Sequence, residues 1–379
     1  MTKRRAAVGA AILAMLTTIV VARGAGASGA GRYIVVLRTD AGDPGAVASD
    51  HAARLGVDVG FVYRHALPGY SAVVPEQRLA ALRADPRVAY VERDQVAVAL
   101  AQTLPWGVDR VDADRSTAAA GNGSGAVSNV AAYVIDSGID RSHPDLNVVQ
   151  HLNFAGGVNK DCNGHGTHVA GTVAARDNAA SVVGVSPGAP LTGVKVLGCG
   201  GSGSYSAVIA GVDWVTANAR RPAVANMSLG GPTSQALDDA VRRSAASGVF
   251  YALAAGNSGA NACASSPARA GAGTDNGIAT VAATDASDRE ASFSNFGSCV
   301  DLWAPGVSIL STRKGGGTTT MSGTSMASPH MAGGGALYLS THVTATPAVV
   351  EAALRAAAQA PGPLSKDGAT IRREYVAGF

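Results

Sequence analysis

The chain has 379 residues, 47% of them hydrophobic and 15% charged, with 48 glycines and a formal net charge of +3. An apolar, glycine-rich make-up of this kind excludes a disordered chain. The slight charge, with Lys and Arg scattered rather than striped, excludes a nucleic-acid footprint, so no nucleic-acid partner is expected.

Residues 1–5 (MTKRR) are basic, 6–22 are apolar, and Ala25 and Ala27 offer small residues for cleavage. This is the pattern of a secretory signal peptide, set at residues 1–27. The apolar run is about 17 residues, at the lower limit for a membrane span. Export to the extracellular medium, free of the membrane, is therefore expected. Export changes the meaning of Cys162, Cys199, Cys263 and Cys299. Four cysteines in an exported chain suggest two disulfides, with three connectivities open. Sequential pairing closes the shortest loops.

A small module follows. The runs at 32–38 (RYIVVLR), 69–75 (GYSAVVP) and 88–94 (VAYVERD) read as strands, and 45–56 and 75–86 carry helical spacing. The pattern is β-α-β-α-β, a small α+β unit with an antiparallel sheet. Near residue 100 the segment ALAQTLPWG, with Pro105, reads as an exposed linker. Beyond it, apolar runs such as VAAYVID (130–136), LTGVKVLG (191–198), AVANMSLG (223–230) and VFYALAAGN (249–257) alternate with helical stretches. Strands without polar alternation, each returning through a helix, predict a parallel sheet covered on both faces.

In such sheets functional groups gather at the carboxyl ends of the strands. Those ends and the loops near them deliver Asp136, His165, Asn257 and the hydroxyl-rich stretch SGTSMASPH, 322–330. An acid, an imidazole, an amide donor and a hydroxyl form a coherent acyl-transfer set. Gly164 and Gly166 flank His165, a poor choice for a helix unless the backbone must approach something closely. His168 sits three residues beyond His165, but no glutamate completes a metal-binding H-E-x-x-H, and Ser137 reads as turn chemistry. A lipase or esterase would want G-x-S-x-G and the order Ser…Asp…His; here the order is Asp…His…Ser.

The motifs VIDSGID, GHGTHVAGT, SLGG, AAGN and SGTSMASPHMAG resemble, in order and spacing, the subtilisin-like serine proteases over residues 104–379. VLGCGGSGSYS and the placing of Cys162 resemble the proteinase K/aqualysin branch, and the module at 31–95 resembles that family's inhibitory propeptide. The resemblance implies a three-layer αβα domain with a mainly parallel sheet at 101–379, preceded by an α+β propeptide at 28–100. It implies a secreted, monomeric, self-processing serine endopeptidase acting on protein and peptide substrates. The propeptide would be its inhibitor and folding aid, cut near Leu100–Ala101.

By the same resemblance Asp136, His165 and Ser325 would form the triad, and Asn257 with the backbone N–H of Ser325 the oxyanion hole. Gly201, Ser202 and Gly203, with Ser228, Leu229 and Gly230, would pair with extended substrate. Small residues at Gly230, Ala254, Ala255 and Gly256 would leave a roomy, uncharged P1 pocket preferring apolar or aromatic side chains. The disulfides would be Cys162–Cys199 and Cys263–Cys299. No cofactor would be needed for chemistry. Structural calcium would sit at Asp301 with carbonyls of Asn276 and Ile278, and at Asp109 and Asp112, where Ala113 replaces a usual glutamine. Pro329 should lie about one turn into a helix beginning at the serine, where few or no N–H bonds exist to lose.

Overall fold

The computed structural model describes residues 30–94 and 102–379, so the signal peptide and the expected cut at Leu100–Ala101 lie outside the described residues. The chain divides into two compact units, Met1–Val98 and Ala99–Phe379.

In the first unit the order is β1 (Ala30–Leu37), α1 (Pro44–Leu55), β2 (Asp58–Tyr63), β3 (Gly69–Pro75), α2 (Glu76–Arg83) and β4 (Val88–Arg93). The sheet runs β2-β3-β1-β4, with all pairs antiparallel. Alternate residues Tyr33, Val35 and Leu37 point inward and pack with Val47 and Ala48 of α1 and Leu79 and Leu82 of α2. The antiparallel α+β reading holds, but β2 is one strand more than the sequence suggests. Its residues DVGFVY are β-forming types but mostly half-buried or exposed, as suits a strand at the sheet's edge. α1 opens on Asp43, whose carboxylate accepts from Ala46 N–H, and closes on Gly56 in the left-handed region.

The second unit contains α3 (Trp106–Arg110), β5 (Ala131–Asp136), β6 (Val148–Asn153), α4 (His165–Ala174), β7 (Leu191–Lys195), α5 (Tyr205–Asn218), β8 (Ala223–Met227), β9 (Gly231–Pro232), α6 (Gln235–Ala246), β10 (Val249–Ala254), β11 (Ser265–Ser266), β12 (Ile278–Thr284), β13 (Leu302–Pro305), β14 (Ile309–Thr312), β15 (Thr318–Met321), α7 (Thr324–Thr341) and α8 (Pro347–Ala357). Seven strands form one parallel sheet in the order β13-β12-β10-β8-β5-β7-β6. Alternation along β5 sends Ala132 and Val134 to one face and Tyr133 and Ile135 to the other. The first face packs against α4, α7 and α8, and the second against Val208, Val212 and Val215 of α5 and Leu237 and Val241 of α6. This is the expected three-layer αβα sandwich.

The expected exposed linker does not extend past Gln102. Its side chain donates to the carbonyls of Arg176 and Val182, and Thr103 N–H donates to Ser181 O at 2.9 Å. Among the described residues no helix is long and apolar enough to cross a membrane.

Candidate active site

Strand order reverses about β5: the chain moves outward to β6 and β7 on one side, then to β8 and β10 on the other. A crevice opens at the carboxyl ends of strands where order reverses in this way. β5 ends at Asp136, β8 is followed by Ser228, and β10 by Ala255, Gly256 and Asn257. A cavity of about 650 Å³ lies there, lined by His165, Asn257 and Ser325 among others.

His165 opens α4, and its Nδ1 lies 2.8 Å and 3.0 Å from the two oxygens of the fully buried Asp136. The Asp136 carboxylate raises the His165 pKa above its ordinary value, against burial, which lowers it. The glycine beside His165 has a steric cause. A Cβ on Gly166 would stand 2.1 Å from Gly138 O and 3.2 Å from Asp136 Oδ1, so only glycine lets α4 start this close to β5.

Ser325 is the second residue of α7, so its N–H precedes the first helical hydrogen bond, made by Met326 N–H to Gly323 O. Its hydroxyl donates to Ser228 O at 3.2 Å. Asn257 accepts from Thr324 N–H at 2.8 Å and from Thr324 Oγ1 at 2.9 Å, both through Oδ1. That commitment of Oδ1 leaves the Nδ2 hydrogens of this exposed residue for the cavity it lines.

Pro329 is the sixth residue of α7, deeper than expected, and one helical bond is lost. The carbonyl that a residue at 329 would have bonded is that of Ser325, and Ser228 Oγ donates to it instead at 2.8 Å. Ser228 Oγ is itself held by Asn226 Nδ2, whose side-chain oxygen accepts from Ser328. The proline thus costs a bond that the β8 loop replaces.

Gly201, Ser202, Gly203, Ser228, Leu229, Gly230, Ala254 and Gly256 all line the cavity. Ala255 does not. It is fully buried, packed with Ala262, Ala268, Ala282 and Trp303. No aspartate, glutamate, lysine or arginine lines the cavity among the described residues. Sequence reasoning missed Asn295, whose Oδ1 accepts from Ser258 and Ala260 N–H and whose Nδ2 donates to Ala255 O, fixing the loop that carries Asn257. It also missed Asp161 and Lys195. The signals were present: an aspartate three residues before Gly164, and a lone lysine in an otherwise apolar strand.

His168 is buried, with Nε2 facing the carbonyls of Ile309 and Thr319, and burial lowers its pKa to about 4. It ties α4 to β14 and β15 and takes no part in the site. Cys162 is joined to Cys199 and Cys263 to Cys299, as the resemblance implies.

The calcium expectation does not fit. Asp301 accepts from Thr280 N–H through Oδ2 at 2.8 Å and from the guanidinium of Arg355 through Oδ1 at 3.1 Å. Arg355 also pairs with Glu351, whose carboxylate accepts the N–H groups of Asp275, Asn276 and Gly277. A cation of the protein's own therefore neutralises the carboxylate expected to bind the metal. At the other position Asp109 is exposed in the first turn of α3, Asp112 pairs with Arg115 at 3.3 Å, and Ala113 is a buried residue without a side-chain oxygen, so one expected carboxylate is taken by a cation and one side-chain ligand is lost.

Comparison with known proteins agrees with this geometry. Residues 128–378 match the model of the Subtilase family, and residues 32–98 match that of Peptidase inhibitor I9. An extracellular serine proteinase of Thermus sp. (strain Rt41A) is 48% identical over 312 residues, covering 79% of this chain and 73% of the relative. Alkaline serine exoprotease A of Vibrio alginolyticus is 46% identical over 313 residues, covering 78% of this chain; the match spans 56% of that relative's length. The crystal structure of a cold adapted subtilisin-like serine proteinase superposes with a TM-score of 0.64 at 44% identity, covering 72% of this chain and 98% of that one. The chain belongs to the subtilase family of serine endopeptidases and carries an I9 inhibitor domain ahead of its peptidase domain.

Proposed function

We propose that this chain is a secreted endopeptidase that hydrolyses proteins through an Asp136–His165–Ser325 triad and is made as a self-processing precursor. One observation carries the reading: the buried Asp136 is in hydrogen-bond contact with His165, which lines the same cavity as Ser325 and Asn257. Ser325 Oγ attacks the scissile carbonyl while His165 takes its proton and later passes it to the leaving amine. Asp136 holds the imidazole's tautomer and stabilises the imidazolium. Asn257 Nδ2 and the Ser325 N–H meet the oxyanion, aided by the positive end of α7.

Residues 201–203 and 228–230 border the same cavity and lie outside the named strands except as neighbours of β9, which suits pairing with an extended substrate. Gly198 N–H donates to Ser202 O at 2.8 Å. A cavity wall without charged side chains favours apolar or aromatic P1 residues. A peptide-library profile dominated by Arg or Lys would defeat that part of the reading.

The boundaries that accompany it are a signal peptide at 1–27, a propeptide at 28–100 and a peptidase domain at 101–379, with the I9 match at 32–98 as support. Secreted wild-type protein should hydrolyse casein and begin near residue 101. Ser325→Ala should do neither, accumulating as the uncut precursor. A wild-type N-terminus near residue 28 would sink the processing claim.

A further inference from the structure

Asp161 is 3% exposed, far too buried for a carboxylate without a task. Its Oδ1 accepts from Asn163 N–H at 3.0 Å, Gly164 N–H at 2.8 Å and Ser137 Oγ at 3.0 Å. Its Oδ2 accepts from Thr167 N–H at 3.0 Å and Thr167 Oγ1 at 2.5 Å. Thr167 is the third residue of α4, and the helix's own cap position, Gly164, has no side chain to offer. Asp161 thus does from outside the helix what a capping side chain does at its end, and the helix it caps begins with His165.

Ser137 carries the connection further. Its hydroxyl donates to Asp161 and accepts from Gly166 N–H at 3.0 Å, while its own N–H donates to Asp136 Oδ1 at 2.6 Å. Beneath it, Lys195 is 1% exposed and donates to Ser137 O at 2.9 Å and Leu197 O at 2.7 Å. The buried ammonium offsets two buried carboxylates that would otherwise oppose each other.

Resting on the triad reading above, we propose that Asp161 is a positioning residue for His165. It binds the start of α4 and, through Ser137, the strand end carrying Asp136, so imidazole and carboxylate meet in one fixed geometry. Its charge also favours the imidazolium that forms when Ser325 loses its proton. His165 is held above its ordinary pKa first by Asp136, with Asp161 adding in the same direction. The other charged and titratable groups around the pair are Lys195 at the end of β7, His151 from β6, His168 on α4, Asp140 and Arg141 beyond β5, Lys160 beside Asp161 and Lys314 between β14 and β15. Lys314 Nζ is engaged by Cys162 O, and burial holds His151 and His168 below their usual pKa.

The test is Asp161→Asn and Ser137→Ala in the secreted, mature enzyme, with kinetics per titrated active site. Asparagine keeps the shape and an acceptor for α4 but removes the charge. Its kcat should fall about tenfold with KM within about twofold, as for a group acting only as charge develops. The acid limb of its kcat/KM profile should move down by about half a pH unit or more, since a nearby anion has been lost. Ser137→Ala leaves Asp161 on Asn163, Gly164 and Thr167 but removes the link from Asp161 to the strand end carrying Asp136 and the acceptor for Gly166 N–H, so its kcat should fall along with a small loss of melting temperature. If Asp161→Asn is not secreted, Ser137→Ala alone decides. Unchanged kcat and an unchanged acid limb, with only thermal stability affected, would overturn the proposal. A wild type whose Ser325 is not labelled by a serine-directed inhibitor would overturn the triad reading, and this inference with it. A labelled wild type beside unaltered variants overturns this inference alone.

Discussion

Asn257 spends its side-chain oxygen on Thr324, and that is what makes its amide a donor of fixed direction. Asn257→Ala should reduce kcat by about 10²–10³ with little change in KM, the range known from subtilisin for loss of such a donor. Thr324→Val should loosen the same amide and give a smaller loss in the same parameter. At His165 the sign of the pH effect follows from its partner. Asp136 raises the imidazole pKa above its ordinary 6.5, and the base form is lost as pH falls through the raised value. The acid limb of kcat/KM should therefore lie above pH 6.5, and Asp136→Asn should move it down while cutting kcat by about 10⁴. A limb at or below the ordinary histidine value in the wild type would contradict the assigned pair.

At the scale of elements, much of the site was legible because it sits where apolar runs stop. Asp136 ends β5, and the glycines around His165 mark a close approach that the structure places against Gly138 O. What was not legible is what joins elements distant in sequence. Nothing in the residues at 223–230 says that Ser228 will take the carbonyl freed by Pro329, and nothing near 295 says that Asn295 will brace the Asn257 loop. β2, DVGFVY, was missed although Val59, Phe61, Val62 and Tyr63 are strand-forming types, because Gly60 breaks the run and it follows directly on a helix. The partner side of a hydrogen bond leaves no periodicity to read.

Glu374 sets a prediction at this scale. It is fully buried, approaches Gly334 of α7, and finds no polar partner among the described residues, so burial holds its pKa well above the usual carboxylate range. The folded chain then keeps a proton that the unfolded chain releases, so stability is full below the unfolded pKa and declines as pH rises towards the folded one. Glu374→Gln should raise the melting temperature at alkaline pH and change it little near pH 4. An equal effect at both ends of the range would count against a neutral buried carboxyl.

For the whole molecule, the ion pairing at Asp301 is the sharpest departure from what the family resemblance implied. Arg355 links Asp301 to Glu351, and Glu351 holds the turn before β12, so α8 is fastened to the sheet by the chain's own charges. A chelator should leave the melting temperature unchanged, whereas Arg355→Ala should cost about 3 kcal/mol by leaving buried carboxylates unpaired. A large fall in melting temperature with chelator, reversed by added calcium, would restore the metal. The fold itself was legible at this scale because the apolar runs at 130–136, 191–198, 223–230 and 249–257, alternating with helical stretches, admit few arrangements other than a covered parallel sheet.

The central claim is that Ser325 is the nucleophile of a working triad. The most direct measurement treats secreted, active enzyme with a fluorophosphonate and locates the modified residue by mass spectrometry. One label per chain, on Ser325, with casein hydrolysis lost in step with labelling, is the predicted result. A label on another residue, or full hydrolysis with Ser325 modified, would contradict the account.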